Sequence, residues 1–183
     1  TEEELVGMVD QAENEGGLDQ HESDLIRNAI EFNDLEVSEI LTPRVDLVAV
    51  PDTATMEQAA SLFVESGYSR LPIYHDSIDN IVGVIHEKDF NAARYHGETK
   101  LADLKAPVLY TTGNTKISEL LRILQKNKAH MAVVVDEYGG TEGVATMEDI
   151  VEELVGEIWD EHDEVIEIFR KQPDGSYLIA CSA

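Results

Sequence analysis

His130-Met131-Ala132-Val133-Val134-Val135-Asp136-Glu137-Tyr138-Gly139-Gly140 runs through small and apolar residues into a glycine pair. Met131 to Val135 predicts a short buried strand, and Asp136 to Gly140 a tight turn. Gly143-Val144-Ala145 reads as a second short strand. Thr146-Met147-Glu148-Asp149 then opens a segment with apolar residues at Ile150, Val151, Leu154, Val155 and Ile158, the spacing of one helix face. The order is strand, turn, strand, helix, with Thr146 and Asp149 at the helix mouth.

The same order occurs about 60 residues upstream. Leu71 to Tyr74, a turn through Asp76 to Asn80, the strand Ile81 to Ile85 and the helix opening His86-Glu87-Lys88-Asp89-Phe90 form an earlier copy. Each copy is preceded by a strand and an amphipathic helix. In the first, Val45 to Val50 reads as the strand; Thr55 and Gln58 make a capping box for a helix with Met56, Ala59, Ala60, Phe63 and Val64 on one face, ended by Gly67. In the second, Val108 to Thr111 is the strand, Gly113-Asn114 a turn, and Thr115 the expected cap of a helix bearing Ile117, Leu120, Leu121 and Leu124. Residues 94 to 106 read as a polar link. The fold class is therefore α/β (α+β): two copies of strand, helix, strand, strand, helix. One copy leaves a sheet face open, and two related by an approximate two-fold axis close a common core.

Ahead of the repeats, residues 1 to 41 carry 13 carboxylates against the single Arg27. Glu2 to Ala12 reads as a helix ended near Gly16-Gly17. Asp19 and Glu22 form a capping box for a second helix with Leu25, Ile26, Ala29 and Ile30 on one stripe, and Pro43 stops the lead-in at Thr42. After Gly156 the chain is acidic again, and Val165 to Phe169 with Tyr177 to Ala180 flank Pro173-Asp174-Gly175 as a hairpin. Both ends look cut from something longer.

The 183 residues carry 13 Lys and Arg against 38 Asp and Glu, a formal charge of -25. A surface this negative repels nucleic acid and anionic lipid, so neither is an expected partner. The lone Cys181 excludes an internal disulfide and a cysteine-based zinc site. No apolar run is long enough to span a bilayer. His21, His75, His86, His96 and His162 show no metal-ligand spacing, and no metal site is expected. The carboxylates of 148 to 167 read either as a solvated face or as a magnesium collector. No nucleophile–base arrangement, phosphate-binding glycine loop or dinucleotide fingerprint is present, so an enzyme is not expected.

Leu41-Thr42-Pro43-Arg44, Ser69-Arg70-Leu71-Pro72-Ile73, the Asp136-Glu137-Tyr138-Gly139-Gly140 turn and Thr146-Met147-Glu148-Asp149-Ile150 together carry a family resemblance. Both copies resemble CBS domains, and the pair is similar to the Bateman module of the CorC/CNNM proteins, the hemolysin-like family associated with magnesium and cobalt transport. On this resemblance, residues 1–41 are a helical linker from a membrane domain and 42–98 the first CBS domain. Residues 99–158 are the second, and 159–183 the start of a truncated CorC/HlyC transporter-associated domain.

The resemblance implies a regulatory module on the cytoplasmic side of an integral membrane protein. It binds an adenine nucleotide, ATP or AMP, with Mg2+, between the two units, forms a homodimer through the CBS pairs, and passes occupancy to the membrane domain of the same chain. The alternative is a dimerisation scaffold that binds no nucleotide. Carried over by motif, Thr146 and Asp149 hydrogen-bond the ribose, backbone groups of His130, Met131 and Ala132 meet the adenine, and Arg70 reaches the phosphates. Each residue also has a plainer reading. Thr146 and Asp149 suit a helix N-cap with an acidic first turn; Arg70 suits a strand-edge cation, and His130 an ordinary edge histidine. In the first copy His86 stands where Thr146 stands in the second, with Asp89 retained, which implies a degenerate cleft there.

Overall fold

The computed structural model describes residues 1–97, 100–156 and the short strands 169–171 and 177–179. The lead-in is α1 (Glu2–Asn14), α2 (Gln20–Glu31) and α3 (Val37–Ile40). The first repeat follows as β1 (Thr42–Pro43), β2 (Val50–Pro51), α4 (Met56–Ser66), β3 (Arg70–Tyr74), β4 (Ile81–His86) and α5 (Glu87–His96). The second is β5 (Leu109–Thr112), α6 (Ile117–Asn127), β6 (Met131–Val135), β7 (Thr141–Thr146) and α7 (Met147–Val155). Beyond it, β8 (Phe169–Lys171) pairs antiparallel with β9 (Tyr177–Ile179), so the first strand begins at the last residue of the expected Val165 to Phe169; residues 165–168 and the Pro173-Asp174-Gly175 turn lie outside the described residues.

Both repeats have the expected order of strand, helix, strand, strand, helix, and each builds its sheet the same way. β2 runs parallel to β3 and β5 parallel to β6, while β3–β4 and β6–β7 are antiparallel hairpins. The capping boxes at Asp19–Glu22 and Thr55–Gln58 form, and Gly67 ends α4 in the left-handed conformation at φ 68°. Three details depart from the sequence reading. The strand expected over Val45 to Val50 shortens to Val50–Pro51. Residues Arg44–Asp46 make a 3-10 turn, closed by Leu47 N–H to the Arg44 carbonyl, and Val45 projects into solvent. The link at 94 to 106 is not uniformly polar, because Leu101 and Leu104 form a 3-10 turn that packs on the first repeat's core, Leu101 fully so. Finally, Lys116 rather than Thr115 is the N-cap of α6. The Thr115 hydroxyl is bonded instead to Thr111 Oγ1 at 3.0 Å.

Each repeat has its own core. Phe63, Leu71, Ile73, Ile85 and Phe90 fill the first, and Ile117, Leu120, Leu124, Val134 and Ile150 the second. A third cluster lies between them, where Ile81 and Val84 of the first repeat meet Met131, Val133 and Val144 of the second. The repeats also exchange strands. β1 enters the first repeat yet pairs with β7 of the second, Thr42 opposite Val144 and Pro43 opposite Gly143. Ala106, entering the second repeat, pairs back onto Val84 of β4. These reciprocal crossings make the two copies one unit, and they need glycine beneath them. A Cβ at Gly83 would sit 2.7 Å from the Ala106 carbonyl oxygen, and one at Gly143 would overlap that of Thr42.

A polar tie closes the same seam. Asp79, in the β3–β4 turn, pairs with Arg44 and accepts the Thr141 backbone N–H at 3.0 Å, so one carboxylate holds both repeats and the entering chain. Chiefly the Arg44 hydrogen bond, then that of Thr141, holds its pKa below the ordinary 3.8. A carboxyl depressed on folding contributes stability above its unfolded pKa and loses it as pH falls through the folded one. Thermal melts of Asp79→Asn are therefore expected to fall less steeply than the parent's below about pH 4. Parallel slopes would show that Asp79 contributes nothing to the seam.

The lead-in rests on the second repeat. Arg27 gathers Asp10, Glu13 and Asp24 at 2.7, 2.6 and 2.9 Å, pinning α1 against α2 despite their like charge. Asn28 Nδ2 donates to the Leu154 carbonyl at 3.3 Å, tying α2 to the C-terminal turn of α7. A single helix thus carries Thr146 and Asp149 at one end and the lead-in contact at the other.

Candidate functional site

A cleft of about 370 Å³ lies between the repeats. The first repeat supplies Asp46, which ends the 3-10 turn, Leu47 and Val48 after it, and then residues 67–70 and Pro72 as the chain leaves α4 and enters β3. The second supplies Met131 on β6, Val144 on β7, and Thr146, Glu148 and Asp149 where β7 passes into α7. The Leu47, Val48, Met131 and Val144 side chains make part of the wall apolar. Arg70, Thr146, Glu148 and Asp149 make the rest polar.

Thr146 is the N-cap of α7, extended at φ −110° and ψ 161°. Its backbone N–H and its hydroxyl donate to Asp149 Oδ2 at 2.8 and 2.6 Å, and its Oγ1 accepts the Asp149 N–H at 3.1 Å. This is a full capping box, so the plainer reading of these residues holds. It leaves the other carboxylate oxygen, Oδ1, without a protein partner among the described residues, on a half-buried side chain at the cleft wall. Capping therefore uses one face of the carboxylate. The free oxygen can accept from a hydroxyl-bearing ligand.

Arg70 begins β3 and reaches across to the second repeat. Its NH1 group lies 3.3 Å from Glu148 Oε1, and its buried Nε has no hydrogen-bond partner among the described residues. A buried guanidinium N–H left unpaired beside a cleft is a donor waiting for an acceptor. Glu148 is also 4.0 Å from His130 Nδ1. The His130 carbonyl already accepts the Met147 N–H at 2.8 Å. Ala132 sits in the β6 ladder with its side chain buried in the second repeat's core. Of the three residues whose backbone groups were expected near the base, Met131 lines the cleft, while His130 and Ala132 are not among its lining residues.

Several wall residues were not singled out from the sequence. Glu148 was read only as part of an acidic run, although the repeat sets it opposite Lys88 of the first copy. Leu47 and Val48 were hidden inside an expected strand, and Tyr68 lay in the short connection after Gly67. In the first repeat, His86 caps α5 without a side-chain hydrogen bond and Asp89 is exposed, so no box like that of Thr146 and Asp149 forms. Among the described residues no three His, Cys, Asp or Glu side chains converge as a metal site.

The CBS domain family model matches residues 37–95 and again 101–156. A putative DUF21 domain-containing chloroplastic protein of Arabidopsis thaliana is 40% identical over 176 residues, 93% of this chain and 27% of that protein. Hemolysin C of Brachyspira hyodysenteriae is 37% identical over 166 residues, 91% of this chain and 62% of the relative. The chain thus spans about a quarter of the first of these relatives and under two thirds of the second. Among solved structures, the CBS domain of the bacterial CNNM/CorC family Mg2+ transporter superposes with a TM-score of 0.79 at 41% identity, covering 87% of this chain and 99% of that one. The same domain in complex with ATP gives 0.69 at 42% identity, over 75% and 99%. A CBS-domain pair from Klebsiella pneumoniae with bound AMP gives 0.57 at 28% identity, over 67% and 99%.

Proposed function

This chain belongs to the CBS-domain family, as a tandem pair similar to those of CNNM/CorC and hemolysin-like proteins, and we propose that it is the adenine-nucleotide-binding regulatory module of a divalent-cation transporter. The observation that carries the reading is the cleft's pair of unspent polar groups. Asp149 Oδ1 accepts from the ribose hydroxyls and the Arg70 guanidinium donates to the phosphates. Met131, Leu47 and Val48 offer apolar surface to the base. ATP and AMP both satisfy this arrangement, and relatives of known structure carry each of them.

Magnesium enters through Glu148. Its carboxylate stands 3.3 Å from Arg70, the only arginine at the cleft wall among the described residues, so an incoming phosphate chain must displace it and then lie beside its charge. A cation chelated by the phosphates offsets that repulsion. Glu148→Gln is accordingly expected to raise the affinity for ATP without magnesium about tenfold and to leave that with magnesium nearly unchanged, because it removes a like charge close to the phosphates. Equal gains in both conditions would remove magnesium from the account.

Coupling runs through α7. Nucleotide at Thr146 and Asp149 fixes the helix N-terminus, and the Asn28 bond to Leu154 carries the helix position to α2 and the lead-in. A ligand shifts such an equilibrium only by its difference in affinity for the two arrangements. The lead-in then connects to the membrane domain of the same chain, with this module on the cytoplasmic side. No helix among the described residues is itself long and apolar enough to cross a membrane.

A second copy completes the module. Val64 on α4 and Tyr95 on α5 are 84% and 88% exposed, apolar surface that a homodimer would cover, and this favours the scaffold as the second reading. Isothermal titration separates the two. The regulatory reading expects saturable heat with ATP and magnesium, lost in Asp149→Ala. A silent parent titration overturns it in favour of the scaffold.

A further inference from the structure

We propose that Asp79 is a positioning residue for the cleft: it pins the two hairpins that face each other between the repeats at their turn ends, so that the repeats part only at the mouth where the ligand enters. This rests on the nucleotide reading above. The hairpins β3–β4 and β6–β7 meet across the central apolar cluster, Ile81 and Val84 against Met131, Val133 and Val144. They lie open end beside open end and turn beside turn. Arg70 stands opposite His86, and Met131 opposite Thr146, at the ends that form the cleft. Asp79 and Thr141 stand at the other end, about 16 Å away along a five-residue strand.

The two ends are held unequally. At the mouth the tie between the repeats is Arg70 to Glu148, 3.3 Å long, with the glutamate side chain 62% exposed. At the turn end Asp79 Oδ1 takes both Arg44 and the Thr141 N–H, the latter at 3.0 Å. Ser77 Oγ accepts the Asp79 N–H at 3.2 Å, which fixes the turn that presents the carboxylate. The Tyr110 hydroxyl adds a bond to the Ile81 carbonyl at 2.5 Å, just beyond that turn. Arg44, Asp79 and Thr141 are not among the lining residues, yet the first and last carry the walls. Arg44 sits between Thr42 and Asp46, and Thr141 opens the strand that bears Val144 and Thr146. Asp79 therefore fixes both walls from one point. Arg44 and Asp79 are 44% and 42% exposed, so solvent screens the pair and its weight falls on geometry more than on stability. A preformed cleft spares the ligand the cost of aligning the repeats. The two ties act with opposite signs: the one at the mouth must open for the ligand, and the one at the turns must stay closed.

The test is titration of the chain and its variants with ATP and magnesium, beside thermal melts. Asp79→Ala is expected to lose about fivefold in affinity, and Asp79→Ala with Tyr110→Phe more, although neither side chain lines the cleft. Arg44→Ala is expected to follow Asp79→Ala, and Arg44→Lys to recover part of the loss because it restores a positive partner. Glu148→Gln, which cuts the tie at the mouth, is expected to lose no affinity. Phe90→Leu thins the first repeat's core away from the cleft lining, and it is expected to melt lower than the parent and to bind like it. If Asp79→Ala binds ATP like the parent while Asp149→Ala binds none, the pin is wrong and the nucleotide reading survives. The pin is equally wrong if Phe90→Leu loses as much affinity as Asp79→Ala, since the loss then tracks stability alone. A parent that binds no ATP overturns both.

Discussion

Asp149→Ala is expected to abolish measurable ATP binding and to lower the melting temperature, whereas Asp149→Asn is expected to keep the melting temperature near the parent's and still bind poorly. The two substitutions separate the two duties of one side chain. Oδ2 accepts from the Thr146 N–H and hydroxyl, and losing a cap of this kind costs about 1 kcal/mol. Asparagine retains one acceptor oxygen for that duty. A ribose with two hydroxyls needs the remaining oxygen and the charge, and hydrogen bonds to a charged group contribute roughly 1.5–3 kcal/mol each, which amounts to about a hundredfold or more in affinity. Calorimetry read beside thermal melts checks both numbers. If Asp149→Asn bound ATP like the parent, the carboxylate would be a helix cap and nothing else.

Gly143→Ala has the largest expected effect on the fold. The added methyl would overlap the Thr42 carbonyl oxygen and lie 2.8 Å from Leu41 Cδ1. The first of these is backbone held in the β1–β7 ladder, so no side-chain rotation relieves it. Overpacking against side chains costs roughly 1–3 kcal/mol, and a clash with paired backbone belongs at or above the top of that range. β1 must leave the sheet, and with it goes the strand exchange that joins the start of the first repeat to the second. Gly7→Ala supplies the contrast. It lies mid-helix in α1 with nothing within 4 Å of the new methyl, and alanine there is expected to stabilise by roughly 0.5–1 kcal/mol. Urea midpoints should therefore move in opposite directions. A neutral Gly143→Ala would mean that β1 is not held where the pairing puts it.

The repeat and its element order were readable because they rest on short-range signals: valine runs, glycine turns, apolar periodicity and cap residues such as Thr55 and Thr146. The exchange of β1 between the repeats was not. Thr42 and Pro43 contribute only two residues to β7, and nothing local says which sheet receives them. The glycines beneath the crossing, Gly83 and Gly143, were visible only as small residues within strands, and their role depends on a carbonyl brought from the other repeat. Val45 looked like strand because β-branched residues favour it, yet Arg44 is drawn to Asp79 and a tertiary contact overrides the local preference.

The candidate site divides in the same way. Thr146, Asp149, Arg70 and Met131 line the cleft, and the motifs had pointed to them. Glu148 becomes visible only when the second repeat is set against the first, because its importance is what it faces. Glu148 faces the guanidinium meant for the ligand.

A crystal structure of this chain grown with ATP and magnesium tests the central claim most directly. The account predicts adenosine between the repeats, its ribose hydroxyls on Asp149 Oδ1 with the capping bonds to Thr146 intact, and the Arg70 guanidinium moved from Glu148 to the phosphates. Nucleotide bound elsewhere, or sugar turned away from Asp149 with the Arg70–Glu148 pair undisturbed, would contradict it.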